Sequence, residues 1–218
     1  MSNLPANVVN LAASLVNSAA QAGSANTGDL YAKMTKFGEF VYGADNTEFE
    51  EGAIWAVNPA GFQHGFVAWG DKNHGTEGSN VGEVMVPATQ PMPGEGDLPD
   101  VKGSWSKAVA IQMRCTNGED EGTQVLFKTN SVGGRKAYAS LLQAVVGRIQ
   151  AGHADCVPLV ECESDWYDHK TYGKIYTPEF KVVGWANMDG EKSAEAPKAV
   201  EEKPAEAEEA PRRRRRKS

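Results

Sequence analysis

The chain has 218 residues, of which 40% are hydrophobic, and a formal net charge of −7. That length holds one large domain or two small ones, and it can bury a core without disulfide or metal staples. The acidic balance excludes a domain that coats nucleic acid by net charge alone, while leaving room for a local basic groove.

Residues 4–20 place Leu4, Val8, Leu11, Leu15 and Ala19 at helical spacing, with Ala12 and Val16 beside them. The stripe predicts a short helix, either packed on the body or serving as an arm for a homo-oligomer. Asn10, Ser14, Asn17 and Ser18 interrupt the apolar run, and no lysine or arginine precedes it. A secretory signal needs a basic start and a continuous apolar core, and a membrane span needs about 20 apolar residues. The expectation is a cytoplasmic protein (host-cell cytoplasm if viral) with no membrane partner. Gly23, Ser24 and Gly28 then link residues 1–29 to a domain expected over 30–187.

From Thr35 the pattern becomes strand-like. Phe37, Phe40, Val41 and Tyr42 lead into a turn at 43–46; Ile54, Trp55 and Val57 stop at Asn58-Pro59; Phe66, Val67 and Trp69 stop at Gly70-Asp71; Val84, Met85 and Val86 stop at Pro87. Short apolar runs separated by turn residues predict antiparallel strands. Residues 90–103, with Pro91, Pro93 and Pro99, read as an irregular loop. Residues 108–115 alternate as a strand, 116–122 form an acidic turn, and 124–128 pair back. Ser131-Val132-Gly133-Gly134 opens a helix whose face carries Tyr138, Leu141, Leu142, Val145 and Ile149, and Gly152 ends it. Two more strands are expected at 157–162 and 180–185. The order predicts a mainly β (β-rich α+β) domain: an OB-like antiparallel barrel with one helix between strands. Other α+β sheets satisfy the same order.

Residues 188–218 are rich in Ala, Glu, Lys and Pro and nearly devoid of large apolar side chains, which predicts a disordered tail. Charge within it is segregated, acidic first and basic last. From residue 186 onward there are eight acids and nine bases, so the remaining body carries a net −8. The chain closes on Arg212, Arg213, Arg214, Arg215, Arg216 and Lys217. Such a run binds phosphate backbones in a salt-dependent way, folds back on acidic residues, or serves as a localisation signal.

Cys115, Cys156 and Cys162 are odd in number and form no CxxC pair, so they read as ordinary thiols of a reducing compartment. No metal or other cofactor is expected. The chemistry concentrates instead in 166–181, where Trp166, Tyr167, Tyr172 and Tyr176 interleave with His169, Lys170, Lys174 and Lys181. Single strands are bound by stacking bases on rings while lysines meet phosphates. The plainer reading is hairpin packing with lysines at the rim. Lys128, Arg135 and Lys136 flank the Gly133-Gly134 helix start, where free N–H groups attract phosphate. The segment lacks the P-loop pattern, and a plain strand-to-helix turn is the simpler account of it. Glu179-Phe180-Lys181, with Asp165 or Asp168 upstream, has the ExK form of metal-dependent nucleases, a pattern common by chance.

Several segments carry a resemblance. They are Glu39-Phe40-Val41-Tyr42-Gly43-Ala44-Asp45, Trp55-Ala56-Val57-Asn58-Pro59, His64-Gly65, Trp69, Gly82-Glu83-Val84-Met85-Val86-Pro87, Ser131-Val132-Gly133-Gly134, Tyr172-Gly173-Lys174-Ile175-Tyr176-Thr177-Pro178 and Val183-Gly184-Trp185. Together they resemble a family of tailed-bacteriophage proteins over about residues 37–187. In element order the second half is similar to phage OB-fold single-stranded DNA-binding proteins with charged tails. The resemblance implies a non-enzymatic protein of phage replication or recombination. Its partners would be single-stranded DNA and replication or recombination proteins. Proteins of that kind usually end in an acidic tip, whereas this chain ends basic. On this reading Tyr167, Tyr172 and Tyr176 stack bases, Lys128, Arg135, Lys136, Lys170 and Lys174 meet phosphates, and the terminal arginines add affinity. The competing expectation is a virion or assembly module whose acidic body is a partner surface.

Overall fold

The computed structural model describes residues 30–188. The helix expected in 4–20, the tail from 189 onward and its arginine run lie outside the described residues.

Nine strands and one long helix make up the described chain. The strands are β1 (Leu30–Met34), β2 (Phe40–Tyr42), β3 (Thr47–Glu48), β4 (Ile54–Gly70), β5 (Asn80–Pro87), β6 (Gly103–Cys115), β7 (Gln124–Thr129), β8 (Val157–His169) and β9 (Gly173–Ala186); the helix is α1 (Val132–Gln150). They form one sheet in the order β3-β2-β1-β7-β6-β4-β8-β9, with β5 also paired to β4. All neighbours are antiparallel except β1 and β7, where Leu30 faces Val125 in parallel register.

The fold is mainly β with one helix between two hairpins, as the element order leads one to expect. Two details differ. Strand β1 begins five residues before Thr35, where strand-like patterning starts in the sequence; its LYAKM run is short, and only Ala32 is buried. The expected separate strands at 54–57 and 66–69 are one 17-residue strand. Asn58-Pro59 is a bulge within it rather than a turn between strands. The Asn58 side chain braces it: its Oδ1 accepts from the Ala60 N–H at 3.0 Å, and its Nδ2 donates to Gln112 Oε1 at 3.0 Å. The register slips from Val57–Met113 to Phe62–Ile111 across this point, a local bend of the kind bulges introduce. Beyond the bend β4 changes neighbours: β8 flanks its start and β5 its end.

The bent sheet curls on itself. Phe180 of β9 meets Phe127 of β7 edge-on at 5.3 Å and Phe40 of β2 at 6.1 Å. These strands lie far apart in the sheet order, so side chains rather than ladder hydrogen bonds close this half-barrel. Trp55, Phe62, Ile111, Met113, Phe127 and Val160 fill its interior and are almost wholly buried, each stabilising by about 1.5–3 kcal/mol through lost apolar exposure.

Helix α1 presents Tyr138, Leu141 and Val145 to this core, with Tyr138 against Phe62 at 5.4 Å. Its start is capped by Ser131, whose hydroxyl accepts from the Gly134 N–H at 3.0 Å. The two glycines there are spatial necessities. A Cβ at Gly133 would fall 2.5 Å from Thr177 Cγ2, and one at Gly134 would fall 2.4 Å from Thr129 Cγ2. The Gly-Gly step thus lets the helix start wedge between β7 and β9. No helix among the described residues is long and apolar enough to cross a membrane.

Candidate nucleic-acid interface

Strands β8 and β9 run on as a hairpin well past the core. Side chains alternate between its faces, and the register assigns them. Trp166 opposes Tyr176 and Asp168 opposes Lys174 on one face; Tyr167 opposes Ile175 and His169 opposes Gly173 on the other. On the first face the Lys174 ammonium lies 4.2 Å from the Trp166 ring centre and 4.6 Å from that of Tyr176. One cation therefore sits against two rings, the geometry of a cation–π clamp.

The three tyrosines expected to stack bases do not share a surface. Tyr176 is on the clamp face and Tyr167 on the opposite one. Tyr167 borders a depression of about 520 Å3 with Lys136, Asp165, Thr177 and Glu179. Tyr172, the most exposed ring of the hairpin at 76%, stacks on His169 at 4.8 Å. His169 Nδ1 in turn accepts the N–H groups of Thr171 and Tyr172 at 3.2 and 3.3 Å, which fixes the turn that also carries Lys170.

Beside the clamp runs a groove of about 600 Å3 in which Tyr31, Lys33, Lys36, Trp69, Lys128 and Tyr176 line the walls. Tyr31 and Trp69 are 62% and 41% exposed, high values for rings that would otherwise be expected to pack. Among the described residues Glu83 is the sole acid lining the groove. Lys128 is held in the wall: its ammonium donates to both Glu83 oxygens at 2.6 and 2.7 Å and lies 4.6 Å from the Tyr31 ring centre. Arg135 has a structural task. Its Nη1 donates to the carbonyls of Lys107 and Asn130 at 3.1 and 2.9 Å, tying the helix start to β6.

Tyr31, Lys33 and Lys36 are additions to the residues singled out from the sequence. The signal was present: Tyr31, Lys33, Lys36 and Phe37 repeat the aromatic–basic interleaving of the β8–β9 segment, and Lys36 lies 4.9 Å over the Phe37 ring. The nuclease-like triplet is differently disposed. Phe180 packs on the core, and the Lys181 ammonium sits 3.3 Å from Glu163 and 3.6 Å from Glu161. Those carboxylates, Glu163 foremost, raise its pKa. Among the described residues no group of three or more His, Cys, Asp or Glu side chains is placed to hold a metal ion.

No protein-family model, curated protein or solved structure matches the chain.

Proposed function

We propose that the domain binds single-stranded DNA without catalysing a reaction, in the manner of the proteins that serve phage replication and recombination. The curled sheet would act as an OB-like platform, with the helix between the β6–β7 and β8–β9 hairpins in the position that barrel gives its helix. The observation that carries the reading is the charge of one groove. In a body of net −8, three lysines and, among the described residues, a single glutamate line a cleft that exposes Tyr31 and Trp69 and takes in the half-buried Tyr176. Aromatic rings offer stacking platforms, and every base has a face to stack. The strand would run from Tyr31 and Trp69 past Tyr176 to the Trp166–Lys174 clamp. Lys33, Lys36 and Lys174 would meet phosphates. Lys128 would do so only on leaving Glu83, and Arg135 would hold the frame. Tyr167, Lys136, Lys170 and Tyr172 would contribute only if the strand wraps the hairpin.

Fluorescence anisotropy with labelled oligo-dT tests this on the full chain. The expected result is binding that weakens on Tyr31→Ala or Trp166→Ala by about 1–3 kcal/mol each. Absence of binding at low salt would refute it and leave the assembly-module reading.

A further inference from the structure

A second depression, of about 550 Å3, has Gly38 in its wall. Gly38 in turn abuts Tyr176 of the first groove. The charge here is the reverse: Glu39, Glu48, Glu50, Glu51, Glu161 and Glu163 line it, and among the described residues no lysine or arginine does. Part of that charge is used locally. Glu50 accepts the Glu119 N–H at 2.7 Å, Glu39 accepts the Thr35 hydroxyl at 3.0 Å, and Lys181 reaches Glu161 and Glu163 from outside the depression. Glu48 and Glu51 have no partner among the described residues. Trp55 also lines the depression; it is 0% exposed, and its indole N–H finds no acceptor among the described residues. Phe49 stacks on it at 4.2 Å.

Carboxylates around an aromatic pair with a spare indole donor suit a ligand of particular chemistry. A guanidinium pairs with carboxylates through two parallel hydrogen bonds and stacks on aromatic faces. A peptide backbone adds carbonyl acceptors, the kind of group the buried Trp55 N–H lacks among the described residues. An arginine-rich peptide supplies both; a bare cation supplies neither the stacking nor the acceptor.

The chain carries such a peptide in its own sequence. Between Met188, the last described residue, and Arg212 lie 23 residues. That length spans up to about 80 Å when extended, against a domain about 40 Å across. We propose that the arginine run 212–216 docks in cis in the glutamate-lined depression. Docking withdraws the polycation from phosphates and sets it beside the Tyr176 groove; release returns it to solution. The contact is a regulatory one, and it stands whether or not the first groove binds DNA.

Zero-length carbodiimide coupling, which joins amines to carboxylates, tests this on the full chain because Lys217 adjoins the run. The linked pairs are located by mass spectrometry. Lys217 is expected to join Glu48 or Glu51 at least about five-fold more often than Glu119 or Glu121 of the acidic turn. The preference is expected to vanish at high salt, as for any exposed ionic contact, and on replacing the five arginines by glutamine. In a mixture of light- and heavy-isotope chains the links are expected within single chains. The Trp55 indole N–H resonance is expected to shift between the native and the glutamine-substituted chain. Links spread evenly over the acidic surface, links mainly between chains, or an unmoved Trp55 resonance would each overturn the proposal. None of these readouts involves nucleic acid, so failure here and failure of oligonucleotide binding are separate results.

Discussion

Tyr176 of β9 lies so close to Gly38 that no side chain fits between them: a Cβ at Gly38 would fall 2.5 Å from Tyr176 Cδ1 and 2.7 Å from Ser164 Oγ. Gly38 also has φ of +89°, a conformation that side chains resist. The contact joins the turn after β1 to the last hairpin, two parts of the chain with no ladder between them. It therefore helps set the curl and holds one ring of the groove. Gly38→Ala is expected to destabilise the fold by about 1–3 kcal/mol, read as a lower urea midpoint, and to weaken oligo-dT binding through displacement of Tyr176. An unchanged midpoint would show that the curl does not depend on this approach.

Glu83 neutralises the groove's best-placed lysine. Its removal in Glu83→Gln leaves Lys128, only 15% exposed, without its ionic partner. Two effects of opposite sign follow. Stability falls by about 1–3 kcal/mol, the cost of leaving a largely buried charge poorly paired. Oligonucleotide affinity at low salt rises, and the logarithmic salt dependence steepens by about 0.7 as one more phosphate contact forms. Thermal unfolding and an anisotropy salt series report the two separately.

The clamp on β8 and β9 separates charge from stacking. Lys174→Gln is expected to flatten the salt dependence by about 0.7 while the rings stay in place. Trp166→Ala is expected to lower affinity by about 1–3 kcal/mol with the salt slope unchanged. Identical slopes in native and Lys174→Gln chains would remove Lys174 from the phosphate path.

Alkaline stability reports on a different contact. The Tyr42 hydroxyl donates to Asp120 at 2.5 Å, which pins the acidic β6–β7 turn to β2. That hydrogen bond, with burial second, raises the Tyr42 pKa from its ordinary 10.0 to about 12. A raised pKa favours the protonated folded form. Its stabilising effect is therefore complete below pH 10.0 and is lost as pH climbs toward about 12. Urea unfolding of native and Tyr42→Phe chains is expected to differ by a constant amount at neutral to mildly alkaline pH, with the gap closing across that window.

Much of the second half was legible from pattern alone. The alternation at 108–115, the capped helix start at Ser131 and the face carrying Tyr138, Leu141, Leu142, Val145 and Ile149 are local signals, and the structure has strand β6 and helix α1 there, with Ile149 at the far end of that face exposed. Non-local features were not legible. The continuity of β4 depends on Gln112 of another strand bracing Asn58, and the parallel placement of β1 depends on β7. The site divides in the same way. Interleaved rings and bases in 166–176 pointed to the hairpin, but only the cross-strand register sends Tyr167 and Tyr176 to opposite faces. Lys128 and Arg135 were visible as bases near a helix start; their partners, Glu83 and the Lys107 carbonyl, come from distant strands.

On the proposed function the domain's groove, rather than the terminal polycation, binds single-stranded DNA. The most direct test is an anisotropy salt series with labelled oligo-dT on the full-length chain carrying serine at 212–216. The account predicts binding at low salt that persists without the arginines and is lost in the same chain on adding Tyr31→Ala and Trp166→Ala. Binding by the native chain but not by the serine-substituted chain would contradict it.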